Sequence, residues 1–271
     1  MTGSAMLHGG ILGGLALASH LWPWALGTLL VDHAVLAASG LVPGSRLLGP
    51  VLTRLPSPGG NEVALTFDDG PDPRVTPRVL ELLSQADARA SFFVVGARAE
   101  RFPDLVRNIV DHGHRVENHT WSHPAGFALL GPRAQARELD RAQSTLAELA
   151  GRDPRYLRAP AGLRNLLLDP LLAGRRLHLV AWTRRGLDKA DGNPRRVLGR
   201  LIRGLAAGDI LLLHDGRPAS TPGGGPVTLE VLPGLLAALA RHGLRGRPLP
   251  DPRTPRPSHT PDPTDETHED S

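Results

Sequence analysis

The sequence predicts an α/β fold with a parallel sheet, either doubly wound or closed into a small barrel. Three observations carry that expectation. Between residues 60 and 246, short β-forming apolar runs alternate with helical patterns, the mark of successive βα units. The chain has 271 residues, 41% of them hydrophobic, enough for one sizeable core. Reactive side chains gather where the β-forming runs end, the edge at which sites form in α/β folds.

The chain opens with an apolar region. "MTGSAMLHGGILGGLALASHLWPWALGTLLV" has no charged side chain before Asp32, and the apolar theme continues to Arg46. A bilayer span needs about 20 apolar residues. Met6 to Val31 is long enough, while "WPW" at 22–24 interrupts it, since Pro breaks helices and Trp favours the membrane interface. Residues 1–55 are therefore expected to form a membrane anchor, as one span or a short hairpin. No Lys or Arg precedes the apolar run, so a signal peptide fits poorly. Arg46 and Arg54 follow it, which by the positive-inside rule favours the cytoplasmic face for the main domain, with the periplasmic or extracellular face as the alternative.

Strands are expected at 63–67, 91–95, 114–118, 155–159, 177–182 and 209–214. Helices are expected at 76–86, 102–112, 132–150, 165–173, 194–207 and 228–242. Only "GLRGRP" (243–248) remains for a seventh strand, so a barrel would be small and open. From Arg247 to Ser271 the chain is Pro-rich, charged and poor in large apolar residues, the composition of a disordered tail.

Composition narrows the chemistry. No cysteine is present, which excludes a thiol nucleophile, disulfides and thiolate metal sites; a metal here must be held by His and carboxylate. The isoelectric point near 10.7 comes from scattered arginines, Lys189 being the one lysine. With aromatics at 4% and no basic run interleaved with them, nucleic acid is not an expected partner.

The stretch "EVALTFDDGPDP" drives a strand into two adjacent aspartates, Asp68 and Asp69. Buried carboxylates are costly unless paired. "NHTWSH" supplies two histidines four residues apart, His119 and His123. Together with a carboxylate from another strand they make three ligands around a divalent ion and leave positions open, as in catalytic zinc sites. An ion neutralises Asp69 and lowers the pKa of a bound water, whose proton Asp68 can accept. Gly70 and Pro71 supply the tight turn that exposes both acids. Across the rim, "LLLHD" brings His214, able to protonate a leaving nitrogen, and "LRAPAG" brings Arg158, able to hold Asp68 ionised. Asp188 in "TRRGLD" can orient a histidine by accepting from its ring N–H.

Taken together, "TFDDGP", "HTWSH", "RAPAG" and "LLLHD" resemble the motifs of the polysaccharide deacetylases, the NodB-homology carbohydrate esterases of family 4, in family order from Val63 to His242. The resemblance implies a distorted, open (β/α) barrel and a divalent metal, zinc first and Co2+ or another ion as alternatives. It implies hydrolysis of an N-acyl group on an amino sugar, with Asp68 as base, Asp69, His119 and His123 as metal ligands and His214 as acid. Leu212 would line the pocket for the acyl methyl, and the Ala161 backbone N–H would help bind the oxyanion. Ala161 stands where the family often has an aromatic residue, and Lys189 follows Asp188 where the family usually has tryptophan, though Trp182 lies earlier as a sugar-facing candidate. The expected partners are an N-acylated sugar or glycan, including a lipid-linked one, and a membrane. Alternatives are deformylation of a lipid-linked aminosugar, and a non-catalytic carbohydrate- or lipid-binding descendant of the fold.

Overall fold

The structure is a computed structural model that describes residues 22–56 and 60–252. Eight parallel strands form one sheet: β1 (Glu62–Asp68), β2 (Ser91–Val94), β3 (Arg115–Asn118), β4 (Tyr156–Leu157), β5 (His178–Leu179), β6 (Arg184–Arg185), β7 (Ile210–His214) and β8 (Arg245–Arg247). Their order is β5-β4-β3-β2-β1-β7-β6, with β8 also paired to β1. The helices are α1 (Trp22–Gly40), α2 (Thr76–Gln85), α3 (Gly96–Arg101), α4 (Pro103–Asp111), α5 (Pro132–Ala150), α6 (Leu168–Gly174), α7 (Pro194–Ile202) and α8 (Val227–Arg241). This is the parallel, incompletely closed barrel that the alternation anticipates.

Strand period decides which residues become core and which become site. On β1, Val63, Leu65 and Phe67 point outward into the layer shared with α2, α4 and α8. Ala64 points inward, with Phe93, Val180 and Ile210. Thr66 and Asp68 follow Ala64 at the same period and so face the barrel interior. On β7, Leu211 and Leu213 join the outer core, whereas Ile210 packs inside. Leu212 and His214 share that inner face. Phe67 and Phe92 stack at 5.1 Å between ring centroids in the outer layer. Burying each such ring is worth about 1.5–3 kcal/mol, which fixes the register on which the inner face depends.

Three expectations from sequence shift. Residues 48–55 belong to the barrel: Leu48 and Val51 are buried, and Leu52 and Arg54 bridge to Val180 and Asp209. The chain therefore reaches across from the end of β5 to the start of β7, and the boundary expected at residue 55 moves towards the N-terminus. "GLRGRP" does form a strand, β8, because Gly246 packs against Leu65 and Ala88 where a side chain would collide. The tail also starts later than Arg247. Leu249 is fully buried, and Asp251 accepts from Arg115 at 2.7 Å; residues 253–271 lie outside the described ones.

Helix α1 begins at Trp22, with Pro23 in its first turn, where a missing N–H is tolerated. It is largely exposed, Trp24 at 79%. Among the described residues no helix is long and apolar enough to cross a membrane, so α1 does not itself supply the span expected between Met6 and Val31. The remainder of that stretch, up to residue 21, lies outside the described residues. At its C-terminus α1 joins the rim of the barrel: the Gly40 carbonyl accepts from Arg164 N at 3.1 Å.

Candidate active site

The side chains singled out from sequence converge on a cleft of about 190 Å³ at the C-terminal ends of the strands. Asp68 ends β1 and is in register with His214 at the end of β7. Asp69, one residue on, has left the strand at φ 71°, in the left-handed region that Asp tolerates better than most side chains. This corrects the reason for the turn. Gly70 is not the residue with positive φ; a Cβ on it would collide with the Asp215 carboxylate, so Gly is required for close approach.

His119 follows β3, and its Nδ1 lies 2.7 Å from the Arg158 carbonyl oxygen. A carbonyl only accepts, so Nδ1 carries the proton and Nε2 keeps its lone pair for the cleft. His123 follows in a loop held at several points. Asn118 Oδ1 accepts from Thr120 N at 2.8 Å, Thr120 Oγ1 accepts from His123 N at 3.2 Å, and Glu138 on α5 accepts from both Ser122 N and Ser122 Oγ. Thr120 (φ 64°) and His123 (φ 53°) both adopt left-handed backbone, strain of the kind that clusters at sites.

The two imidazole Nε2 atoms each lie 3.1 Å from Asp69 Oδ1, and the three ligand atoms fall within 4.8 Å of one another. This donor set, two nitrogens and a carboxylate on one side of a cleft, suits a divalent ion such as zinc. Lys189 also ion-pairs with Asp69, through Oδ2. Sequence reading noted Lys189 only as a departure from a motif; nothing local signals that its ammonium reaches the first strand.

Arg158 is fully buried beneath the cleft. Its Nη1 donates to Asp68 Oδ1 at 2.7 Å and to Thr66 Oγ1 at 2.8 Å, and its Nη2 donates to the Ala181 carbonyl at 2.9 Å. Its guanidinium lies 4.2 Å from the Phe93 ring centroid. Breaking such a buried pair by removing one partner typically costs about 3–5 kcal/mol. Asp68 Oδ2 is turned the other way, 3.9 Å from His119 Nε2.

Asp188, fully buried in the loop after β6, meets His214 twice: it accepts from the ring Nδ1 at 2.9 Å and from the backbone N at 2.7 Å. Thr228 on α8 donates to the same carboxylate at 2.8 Å. Burial lowers the His214 pKa, but the hydrogen bond and charge of Asp188 outweigh it, so the group sits above its ordinary value. Thr228 was not legible in the sequence, because only the packing of α8 brings it here.

Ala161, Leu212 and Trp182 all line the cleft. Ala161 has a left-handed φ of 55°, and the neighbouring Gly162 (φ 74°) admits Trp182 and Pro43 at distances no Cβ would allow. Asp215, next to His214, is not in the cleft. It is buried behind it, accepts from Thr76 Oγ1 at 2.6 Å, and burial pushes its carboxyl up to about 7. A larger hollow of about 360 Å³, beside Tyr156 and His178, contains none of the candidate catalytic, metal-binding or substrate-binding residues.

An open parallel (β/α) barrel with paired aspartates, two histidines and an aspartate-backed third histidine on its C-terminal rim defines the class, a NodB-type barrel. Comparison with known proteins gives the family: the polysaccharide deacetylase model matches residues 56–174. A peptidoglycan-N-acetylglucosamine deacetylase of Bacillus cereus is 33% identical over 192 residues, 70% of this chain and 67% of that protein. A chitooligosaccharide deacetylase of Bradyrhizobium sp. is 34% identical over 200 residues, 71% of this chain and 90% of the relative. The solved structure of a family 4 carbohydrate esterase from Streptomyces lividans in complex with acetate superposes with a TM-score of 0.62 at 32% identity, covering 69% of this chain and 92% of that one. The chain belongs to the polysaccharide deacetylase family.

Proposed function

We propose that the protein is a metal-dependent hydrolase that removes an N-acyl group, N-acetyl first, from an amino sugar of a cell-envelope glycan or a lipid-linked sugar. The observation that carries this reading is a base and an acid facing each other in register, each fixed by a separate buried partner. Asp68 is held by Arg158, and His214 by Asp188. A carboxylate ion-paired to a buried arginine and an imidazole backed by a buried aspartate suit the roles of base and acid.

Asp69, His119 and His123 would hold the metal, which when bound polarises the acyl carbonyl and makes water a stronger nucleophile at neutral pH. Asp68, with Oδ1 engaged by Arg158, uses Oδ2 to take a proton from the water that attacks the acyl carbon. The carbon–nitrogen bond then breaks, and His214 gives its Nε2 proton to the departing sugar nitrogen. The products are the free acid and the amine. Nδ1 of His214 stays on Asp188 throughout, which keeps Nε2 aimed at the leaving group. Leu212, 3% exposed on the inner face of β7, offers an apolar wall to the acyl methyl, and the Ala161 N–H a donor to the developing oxyanion.

Membrane attachment belongs to the same reading. The exposed apolar surface of α1, the uncharged sequence before it and the join of α1 to the cleft rim support an enzyme that meets its substrate at a lipid surface. Arg54 pairs with Asp209, which leaves Arg46 as the flanking charge that favours the cytoplasmic face. Protease accessibility of the domain in intact cells decides the side.

The test is acyl release by the full chain, stripped of metal and then given zinc, with N-acetylated oligosaccharides and a formylated lipid-linked sugar as substrates. Zinc-restored acetate supports the deacetylase, and formate alone redirects the reading to a deformylase. No release from either, with zinc bound, overturns hydrolysis in favour of a non-catalytic binding protein.

A further inference from the structure

The mouth of the cleft carries more positive charge than its acids account for. Asp68 is answered by Arg158, and Asp69 by Lys189. Arg185 also lines the cleft, yet among the described residues no carboxylate lies within ion-pairing distance of it. A cation bound by Asp69, His119 and His123 would add to the excess.

The position of Arg185 follows from strand register. β6 is only two residues long, both arginine, and pairs with β7 as Arg184 with Leu211 and Arg185 with Leu212. Leu211 faces the outer core and Leu212 the cleft. The two arginines split accordingly. Arg184 is consumed structurally, by Asp209 and by the carbonyls of Arg203 and Gly204. Arg185 shares the cleft-facing side, its guanidinium 5.4 Å from the ring centroid of Trp182. An arginine resting on an aromatic keeps its fork of N–H donors for a planar or tetrahedral oxyanion, which it can bind in a bidentate manner.

We propose that Arg185 forms an anion subsite at the cleft mouth, and that the preferred substrate is an amino sugar carrying a carboxylate or a phosphate close to its N-acyl group. This rests on the hydrolase reading above and narrows its substrate class. A carboxylate would belong to an acidic sugar of a glycan, and a phosphate to a sugar 1-phosphate or its lipid-linked form. A neutral glucosamine oligomer offers the subsite nothing to bind.

The experiment uses the full, zinc-loaded chain and three probes: neutral tetra-N-acetylchitotetraose, a disaccharide ending in N-acetylmuramic acid, and N-acetylglucosamine 1-phosphate. The expected result is a kcat/KM at least tenfold higher for one of the anionic probes than for the neutral one at low salt. That advantage should shrink at 0.5 M salt, where exposed charges are screened. Arg185→Gln should lower the anionic-to-neutral ratio about tenfold, mainly through KM, with Arg185→Lys intermediate. The favoured anionic probe identifies carboxylate or phosphate as the group bound. An equal ratio in wild type and Arg185→Gln, or a ratio indifferent to salt, overturns the subsite. Should no probe release acetate, the deacetylase reading fails separately. Calorimetric binding of the two anionic probes to Asp68→Asn, with and without Arg185→Gln, then decides the subsite: about tenfold weaker binding without the arginine supports it, and equal binding overturns it.

Discussion

Replacing Asp188 by Asn tests how the proposed acid, His214, is tuned. The substitution keeps the size and one acceptor oxygen but removes the charge that faces His214 at 2.9 Å. Two influences act on His214 in opposition: burial, which lowers its pKa, and the hydrogen bond and charge of Asp188, which raise it. Without the charge, burial is left to act with only the weaker fields of Asp68 and Asp69 against it. The pKa should therefore fall below its ordinary value rather than merely return to it. A hydrogen bond to a charged partner is worth about 1.5–3 kcal/mol, against about 0.5–1.5 for a neutral one. The difference, roughly 1–2 kcal/mol, corresponds to about one pH unit. Because the raised pKa keeps His214 protonated towards higher pH, the alkaline limb of kcat/KM should move to lower pH by about that much. Activity at pH 8 should fall by up to about tenfold, with more loss if Asn stabilises the wrong tautomer. The assay is the pH profile of acyl release beside an NMR titration of the His214 ring. Lower activity with an unmoved alkaline limb and an unmoved His214 titration would refute the assignment of Asp188 as the partner that tunes the acid.

Other substitutions separate the remaining roles. Asp69→Ala should lose bound zinc and activity together, whereas Asp68→Asn should keep zinc by elemental analysis and lose at least a hundredfold in kcat; near-full activity in Asp68→Asn would disprove the base assignment. Gly70→Ala drives a methyl into the Asp215 carboxylate and should cost about 1–3 kcal/mol in denaturant unfolding while weakening zinc affinity, since Asp69 is the preceding residue. Glu117, fully buried, accepts from Arg155 N at 2.7 Å and Tyr156 N at 2.8 Å, yet burial pushes it up to about 7 from 4.5. The folded state thus holds a proton that the unfolded chain releases, and this contribution to stability is full below pH 4.5 and lost as pH rises through about 7. Glu117→Gln should remove up to about 3 kcal/mol of that decline, seen as a flatter Tm between pH 5 and 8; an unchanged slope would contradict it.

Much of the molecule was legible because it rests on local rules. Alternating strand and helix signals announce a parallel sheet, and five of the site's side chains, Asp68, Asp69, His119, His123 and His214, sit at strand ends or in the loops just past them, where such folds place chemistry. The 132–150 helix was read to the residue, because Pro at its start and Gly151 past its end punctuate it. The short strand β6 and the helix α3 were missed. Two-residue pairing leaves no periodicity to read, and six residues are too few to establish a helical one.

The sequence by itself determined the class of fold and brought out the cleft residues Asp68, Asp69, His119, His123 and His214, since each lies in a short contiguous motif. Only the tertiary structure decided what tunes them. Asp188 meets His214, Lys189 meets Asp69, Arg158 meets Asp68, and Arg185 rather than Arg184 turns to the cleft. Each depends on register between strands far apart in the chain, where a slip of one residue would send the same side chain to the opposite face. The same holds for residues 48–55, whose apolar sequence matches the anchor before them but whose burial between β5 and β7 makes them part of the barrel. Composition records that a residue prefers to leave water; packing alone decides what it is buried against.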